Sequence, residues 1–200
     1  METNRRPRRT VSEIALLLAL ASAASIAIAA EPIPKLTQAE APLPKPGADG
    51  WYDARPIDES FLVRIPSVFQ AFAEQGRSED GAATLTVGVR AKVTAAFGGA
   101  TIYFATCVDQ EGDEREPEER LREVIDHWEQ RGMMRFRRPV EAGSIPGFEF
   151  EIADDVKVMR SRIYAPKVGT CTVLISWRPF AKPSDADIDK YLDSFQFTKR

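Results

Sequence analysis

His127 is the single histidine of the 200-residue chain, and histidine is the base that a Ser-His-Asp triad requires. No matching nucleophile is evident, because the sequence lacks a Gly-x-Ser-x-Gly motif and Ser144 falls in a proline–glycine turn. A tetrahedral zinc site needs four nitrogen, sulfur or oxygen ligands, which one histidine and two distant cysteines do not supply. The sequence therefore predicts a protein that is not an enzyme and that carries no cofactor.

Carboxylates are concentrated between residues 109 and 119. Oxygen ligands of this kind can bind Ca²⁺, but an EF-hand needs glycine at its sixth position and glutamate at its twelfth, where this chain has Glu114 and Arg120. A solvated helix entry that complements the helix dipole explains the same residues. An irregular Ca²⁺ or small-ligand site in this loop is the alternative function. The candidate ligands are Asp109, Glu111 and Asp113.

Arginines are frequent in two predicted strands of the second half of the chain. Arginine is the preferred residue for bidentate contacts with carboxylates and phosphates, so these arginines could form one surface for an anionic partner. Arg135 and Arg137 alternate with apolar residues, which predicts that they face solvent. The alternative is that these charged residues only lie on the solvent-facing side of the sheet, as charged residues on strands usually do. The candidate residues are Arg135, Arg137, Arg138, Arg160 and Arg162.

The two cysteines, Cys107 and Cys171, both fall in predicted strands. In an exported protein, two cysteines without a third leave one possible pairing, and we predict that they form a disulfide. The alternative is a pair of buried free thiols that behave as small apolar side chains.

The amino terminus has the pattern of a secretory signal peptide, because an arginine cluster precedes an apolar run that ends in small residues. We predict that residues 1–30 are removed by cleavage after Ala29 or Ala30, that the protein is exported to the periplasm or secreted, and that the mature protein does not span a membrane. An uncleaved anchor is the alternative. Residues 31–50 are rich in proline and are predicted to be a tether without a fold, whereas residues 51–200 are predicted to form one domain.

Residues 1–30 contain four of the 27 basic and two of the 30 acidic residues, so the mature protein is mildly acidic. This balance argues against a nucleic-acid partner engaged through bulk charge. The partner expected instead is an unidentified envelope protein or an anionic ligand.

Three apolar-alternating runs follow one another between residues 143 and 177, with a tight turn between each pair. Alternation with a period of two predicts half-buried strands, so this stretch is predicted to be a β-meander. In its first strand, Phe148 and Phe150 point to one face while Glu149 and Glu151 point to the other.

Earlier strands are predicted at residues 61–65 and 85–93. Gly98 and Gly99 offer a hairpin turn to a return strand at residues 102–108, which is apolar on both faces and is therefore expected to be central.

Two helices are predicted. An apolar stripe from Leu121 to Trp128 at helical spacing indicates an amphipathic helix that begins near Pro117 and ends before Gly132. A strand beginning near Met134 is expected next. The second helix follows Ser184, which is a favoured cap residue.

Four short motifs in this order resemble secreted domains of the PsbP/Mog1-like class. They are residues 61–66 (FLVRIP), 145–150 (IPGFEF), 160–164 (RSRIY) and 191–195 (YLDSF). The resemblance implies an α+β fold in which an antiparallel sheet is flanked by helices as an α/β/α sandwich. It implies no activity, because members of this class range from a photosystem lumen subunit to a regulator of a nuclear-transport GTPase. The motifs are architectural, so no functional residue is carried over. We therefore expect an exported, non-enzymatic binding or accessory domain of the bacterial envelope.

Overall fold

The computed structural model describes residues 44–78, 81–94, 99–130 and 134–198. The predicted signal peptide, the predicted tether up to residue 43, and the predicted turn residues Gly98 and Gly132 lie outside this part of the chain. The strands are β1 (Tyr52–Ala54), β2 (Phe61–Ile65), β3 (Gln70–Arg77), β4 (Ala83–Thr94), β5 (Ala100–Gln110), β6 (Met134–Ala142), β7 (Ile145–Ala153), β8 (Val158–Tyr164), β9 (Thr170–Trp177) and β10 (Gln196–Phe197). The α-helices are α1 (Pro117–Glu129) and α2 (Asp185–Asp193).

The strands form two sheets. The larger has seven strands in the order β3-β4-β5-β9-β8-β7-β6, and the smaller has three in the order β1-β2-β10. Neighbouring strands pair antiparallel throughout. The predicted meander is confirmed, because β7, β8 and β9 are adjacent both in sequence and in the sheet. The predicted central position of the 102–108 strand is also confirmed, since β5 is the third of the seven.

The predicted fold class is wrong. Strands account for 51% of the described residues and helix for 17%, and a second sheet lies where an α/β/α sandwich would have only helices. Among the described residues there are just two α-helices. The protein therefore has a β-rich fold instead of the α+β sandwich that the resemblance implied. None of the helices in the described part of the chain is long and apolar enough to cross a membrane.

Helix α1 covers one face of the seven-stranded sheet. Its buried residues Leu121 and Ile125 lie on its apolar side, and Leu121 packs in a cluster with Phe150, Met159 and other residues of β7, β8 and β9. Its first turn is stabilised by a capping box between Glu116 and Glu119, with proline at the start of the helix.

The opposite face is covered by α2 together with the three-stranded sheet. The buried side chains of α2 are Ile188, Tyr191 and Leu192, and they belong to one core with the inward residues of β2, β4, β5 and β9. The predicted cap is confirmed, because the Ser184 hydroxyl accepts a hydrogen bond of 3.1 Å from the backbone N–H of Asp187.

Residues at the end of the predicted tether are held against this layer. Asp49 is 2.8 Å from the Arg64 guanidinium and 2.7 Å from the Lys190 ammonium. Hydrogen bonds from Lys190 and Arg64 hold the pKa of Asp49 well below its usual range. The next aromatic residue, Trp51, is buried, with the Lys190 ammonium 4.4 Å from its ring centre.

Candidate functional site

Glu149 is the centre of the densest group of charges in the described residues. It lies in β7, where its neighbour across β6 is Arg138 and its neighbour across β8 is Arg162. The Oε2 atom accepts hydrogen bonds from Arg138 at 2.9 Å and from Arg162 at 2.8 Å. The Oε1 atom accepts one from Arg160 at 2.7 Å. We call these four residues the Glu149 cluster.

Two carboxylates of α2 pair with Arg160 and Arg162 on the face of the sheet that α2 covers. Arg162 donates to Asp193 at 2.6 Å, and the Arg160 guanidinium lies 3.4 Å from Asp189. The Glu149 carboxylate itself is wholly inaccessible to solvent. Glu149 is therefore buried beneath its arginines, whereas the Arg138 side chain is 54% exposed. Each arginine of the Glu149 cluster has a carboxylate partner in this chain.

Burial and charge act in opposite directions on Glu149. Burial alone raises the pKa of a carboxyl group, but the hydrogen bonds from Arg138, Arg162 and Arg160 outweigh burial and leave the pKa of Glu149 below its usual value. Burial opposes the charged form of Arg162 as well, yet hydrogen bonds to Glu149 and Asp193 raise its pKa. Glu149 is therefore ionised at neutral pH, and an ionised carboxylate that accepts several hydrogen bonds is a poor general base.

The other two predicted arginines lie at the rim of the sheet. Arg135 is 3.6 Å from Glu151 and Arg137 is 2.6 Å from Glu129 of α1. Their side chains are 58% and 50% exposed, which agrees with the expectation that they face solvent. The structure thus places all five predicted arginines on β6 and β8, but each has a carboxylate partner. An anionic partner for them stays a prediction.

The acidic loop has its own internal arginine. Asp113 accepts a hydrogen bond from Arg115 at 2.7 Å, and this bond holds the pKa of Asp113 below its usual value. Arg115 also pairs with Glu123 of α1. Of the other candidate ligands, Glu111 donates its backbone N–H to Ala83 on β4.

No group of three His, Cys, Asp or Glu side chains in the described ranges is placed to hold a metal ion. A Ca²⁺ or small-ligand site at Asp109, Glu111 and Asp113 stays a prediction.

Arg120 fastens this end of the molecule. It is 2% exposed, and its guanidinium donates to the carbonyl oxygens of Arg115 at 2.7 Å and of Lys167 at 3.2 Å. It also donates to the carbonyl oxygen of Pro166. Since Pro166 and Lys167 lie in the β8–β9 turn, Arg120 joins the first turn of α1 to the second turn of the meander.

The predicted disulfide between Cys107 and Cys171 is confirmed. The two residues are direct neighbours across β5 and β9, with an S–S distance of 2.05 Å and a Cα–Cα distance of 4.0 Å. Both cysteines are fully buried on the face covered by α2. The bond joins the hairpin of β4 and β5 to the last strand of the meander, as expected.

The histidine shows no sign of a triad. The His127 ring lies edge to face with the Trp128 ring, with the ring centres 5.5 Å apart. Residues of the acidic loop line the surface beside His127. Ser144 is in the exposed turn between β6 and β7. The geometry gives His127 the role of a surface residue on α1.

A groove runs between α1 and the hairpin of β6 and β7. Its volume is about 1130 Å³. Apolar atoms of Leu121, Ile125 and Phe148 line it, and the Glu129–Arg137 ion pair of 2.6 Å bridges the helix and the strand at one end. The rim carries both signs of charge: Glu118, Arg122, Asp126 and Glu129 on the helix, and Arg137, Arg138 and Glu141 on the strand.

No protein-family model, no curated protein and no solved structure matches this chain. The resemblance to the PsbP/Mog1-like class stays a prediction.

Sequence reasoning missed Glu149 and Arg120. The sequence pattern places Glu149 only on the face opposite Phe148 and Phe150, because alternation does not show whether that face is buried. Arg120 directly precedes Leu121 and lies four residues before Val124, so it borders the apolar stripe of α1. That position was the available signal for a buried arginine.

Proposed function

We propose that the chain is an exported, non-enzymatic binding domain of the bacterial envelope, an accessory or assembly factor that binds a segment of another envelope protein. Its binding surface is the groove between α1 and the hairpin of β6 and β7. The observation that carries this proposal is the combination of an apolar floor with a rim of both charge signs. Protein segments with one apolar anchor and flanking charges match such a surface, because anchors in a desolvated pocket supply most of the binding energy at interfaces.

Export is supported by the Cys107–Cys171 disulfide. Disulfides persist in the periplasm and outside the cell and are rare in the cytosol. Binding at the groove, and not at the buried charges, is supported by the ion pairs of Glu149 with Arg160 and Arg162, because these charges already neutralise one another. An anionic small ligand held by the buried arginines would have to displace Glu149, whereas a protein segment in the groove leaves Glu149 in place.

The proposal is tested by photo-crosslinking in cells. A photoreactive side chain is placed at Arg122 on the helix rim and, separately, at Glu141 on the strand rim, both exposed. The matched control position is Val156, which is 52% exposed and lies outside the groove. One and the same envelope protein should be trapped from both rims and be absent from the control. Capture of unrelated proteins at the two rims, or equal capture at Val156, would contradict the proposal.

Binding of the trapped protein is then measured with purified components. Reversing two rim charges with Arg122→Glu and Asp126→Lys leaves the net charge unchanged and should weaken binding about tenfold, an ordinary effect for interface charges. The control reverses two exposed charges outside the groove, Lys92→Glu and Asp155→Lys. Unchanged affinity in the groove variant would show that the partner binds elsewhere.

A further inference from the structure

The two edges of the seven-stranded sheet differ in how well they are protected. Strand β6 at one edge has Pro139, three arginines and a register shift between Met134 and Phe136, all of which are features that prevent further strand pairing. Strand β3 at the other edge has eight residues with no proline and no register shift, and its charged residues are Glu74 and Arg77. Within the described chain, β4 is the only strand that pairs with β3.

The outer side of β3 is exposed. Only Ala71 and Phe72 of its residues are partly buried, and the other six are exposed. The Phe72 ring leans away from the edge, because it stacks on Phe104 of β5 with ring centres 5.8 Å apart. Gly88 of β4 makes room for it, since a Cβ there would lie 2.6 Å from the ring.

The Ser78 N–H donates to the carbonyl oxygen of Ala82, so in this antiparallel pairing the backbone groups of even-numbered residues such as Phe72 point to β4. The backbone groups of Ala71 and Ala73 therefore point to the open edge.

We propose that β3 pairs with β3 of a second copy of this chain, antiparallel about a two-fold axis, so that the two seven-stranded sheets become one continuous sheet. Such an axis is perpendicular to the sheet and keeps each face on its own side, which is the isologous contact usual for dimers. Residues on the same face must then oppose each other, and this requirement limits the possible registers.

Charge disfavours one register and favours another. An axis through Glu74 would place two glutamates opposite each other, which is unfavourable. An axis through Phe72 places Glu74 opposite Gln70 of the other copy and Ala73 opposite Ala71. Gln70 accepts hydrogen bonds of 3.1 and 3.0 Å from Arg90, so Glu74 of one copy comes close to the Arg90 guanidinium of the other. The contact is made twice by symmetry, and no like charges are opposed.

This dimer does not depend on the groove beside α1, which is at the other edge of the sheet. Its test is the sedimentation of the purified full chain over a range of concentrations. We expect a monomer–dimer equilibrium. The variant Ala73→Lys places a lysine at the exposed edge and should give monomers. The control Ser144→Lys adds the same charge at an exposed turn beside the opposite edge and should dimerise normally.

The register is tested by charge reversal. Glu74→Lys should weaken dimerisation about tenfold, because it removes two favourable cross-strand pairs, and adding Arg90→Glu to it should restore the dimer. Far-ultraviolet circular dichroism should show the same fold in every variant. A wild-type chain that remains monomeric at all concentrations, or an Ala73→Lys variant that still dimerises, would overturn the proposal. Dimerisation without rescue by the double reversal would overturn the register.

Discussion

On the face covered by α2, the two ends of the seven-stranded sheet are held together by different interactions. The end formed by β6, β7 and β8, here called the charged end, contains the Glu149 cluster. There one buried carboxylate accepts hydrogen bonds from three arginines. The end formed by β3, β4 and β5, here called the apolar end, buries residues such as Val87, Val89 and Tyr103 on the same face. The Cys107–Cys171 disulfide lies between the ends, on the seam of β5 and β9.

The two kinds of interaction differ in how strictly they specify strand register. Apolar burial is non-directional and roughly proportional to area, so it tolerates small shifts between neighbours. The Glu149 cluster is directional, and a slip of β7 by one residue would move Glu149 to the other face, leaving Arg160 and Arg162 without their central partner. The charged end therefore specifies strand register more strictly than the apolar end does.

Loss of the central carboxylate should have the largest effect. Glu149→Gln removes the charge of the buried carboxylate that pairs with three arginines. Breaking a buried ion pair in this way costs about 3 to 5 kcal/mol. Urea unfolding measures the loss. Hydrogen exchange should accelerate in β6 to β8 more than in β4 and β5, and equal acceleration in both ends would show that the distinction between them is false. The control Glu114→Gln changes the same type of residue in the exposed segment before α1.

Acid should remove the same contribution. The pKa of Glu149 is lower in the folded protein than its ordinary value of 4.5, so its stabilising effect is complete above that pH and is lost as the pH falls through the folded-state pKa. The difference in unfolding free energy between wild type and Glu149→Gln should therefore be constant from pH 7 to about pH 5 and shrink towards lower pH. A difference that grows on acidification would contradict the low pKa.

Removing the disulfide should come next in size. Replacing both Cys107 and Cys171 with alanine frees a loop of 64 residues and should lower the free energy of unfolding by about 2 to 4 kcal/mol. Because the bond lies between the two ends, exchange should increase in both. Thiol titration of the unfolded, non-reduced wild-type protein provides the check on pairing, and two free thiols there would refute the bond.

Arg120→Met should cost about 1 to 3 kcal/mol, since the substitution leaves carbonyl oxygens of residues 115, 166 and 167 without their donor. Exchange should increase at the start of α1 and in the β8–β9 turn. Arg122→Met is the matched control, because Arg122 is on the same helix but exposed. Equal losses in the two variants would mean that Arg120 does not fasten the helix.

The smallest effect is expected at the rim of the charged end. Arg135→Ala combined with Arg137→Ala should change stability by less than about 1 kcal/mol, because both side chains are half exposed and surface ion pairs contribute little. Thermal unfolding measures it. A large drop in melting temperature would show that the rim arginines belong to the buried cluster.

Local patterns in the sequence predicted most elements. Alternation placed the meander and β5, helical spacing placed α1 and α2, and two cysteines in one oxidising compartment predicted their bond. The edge strand β3 was missed because its sequence, Gln70–Arg77, has little apolar alternation. Its conformation depends on backbone pairing with β4, and a pattern of side chains does not report that pairing. The fold class failed for a related reason, since β1 and β10 are only three and two residues long.

The candidate site was predictable only in part. The arginines of β6 and β8 could be recognised, but their partners come from different elements, because Glu149 is on β7 and Asp193 is on α2. Periodicity shows which face a residue occupies. Whether that face is covered depends on tertiary packing, so the burial of Glu149 and Arg162 was beyond the pattern. The groove beside α1 likewise exists only once the helix has docked.

The Cys107–Cys171 bond encloses α1, β6, β7 and β8 in one covalent loop. A protease that cuts the exposed acidic segment before α1 would leave two fragments that still migrate as one molecule until a reductant is added. In a compartment rich in proteases, a nicked chain could therefore keep its β5–β9 seam and remain assembled. The backbone between these cysteines can be severed once without releasing either piece.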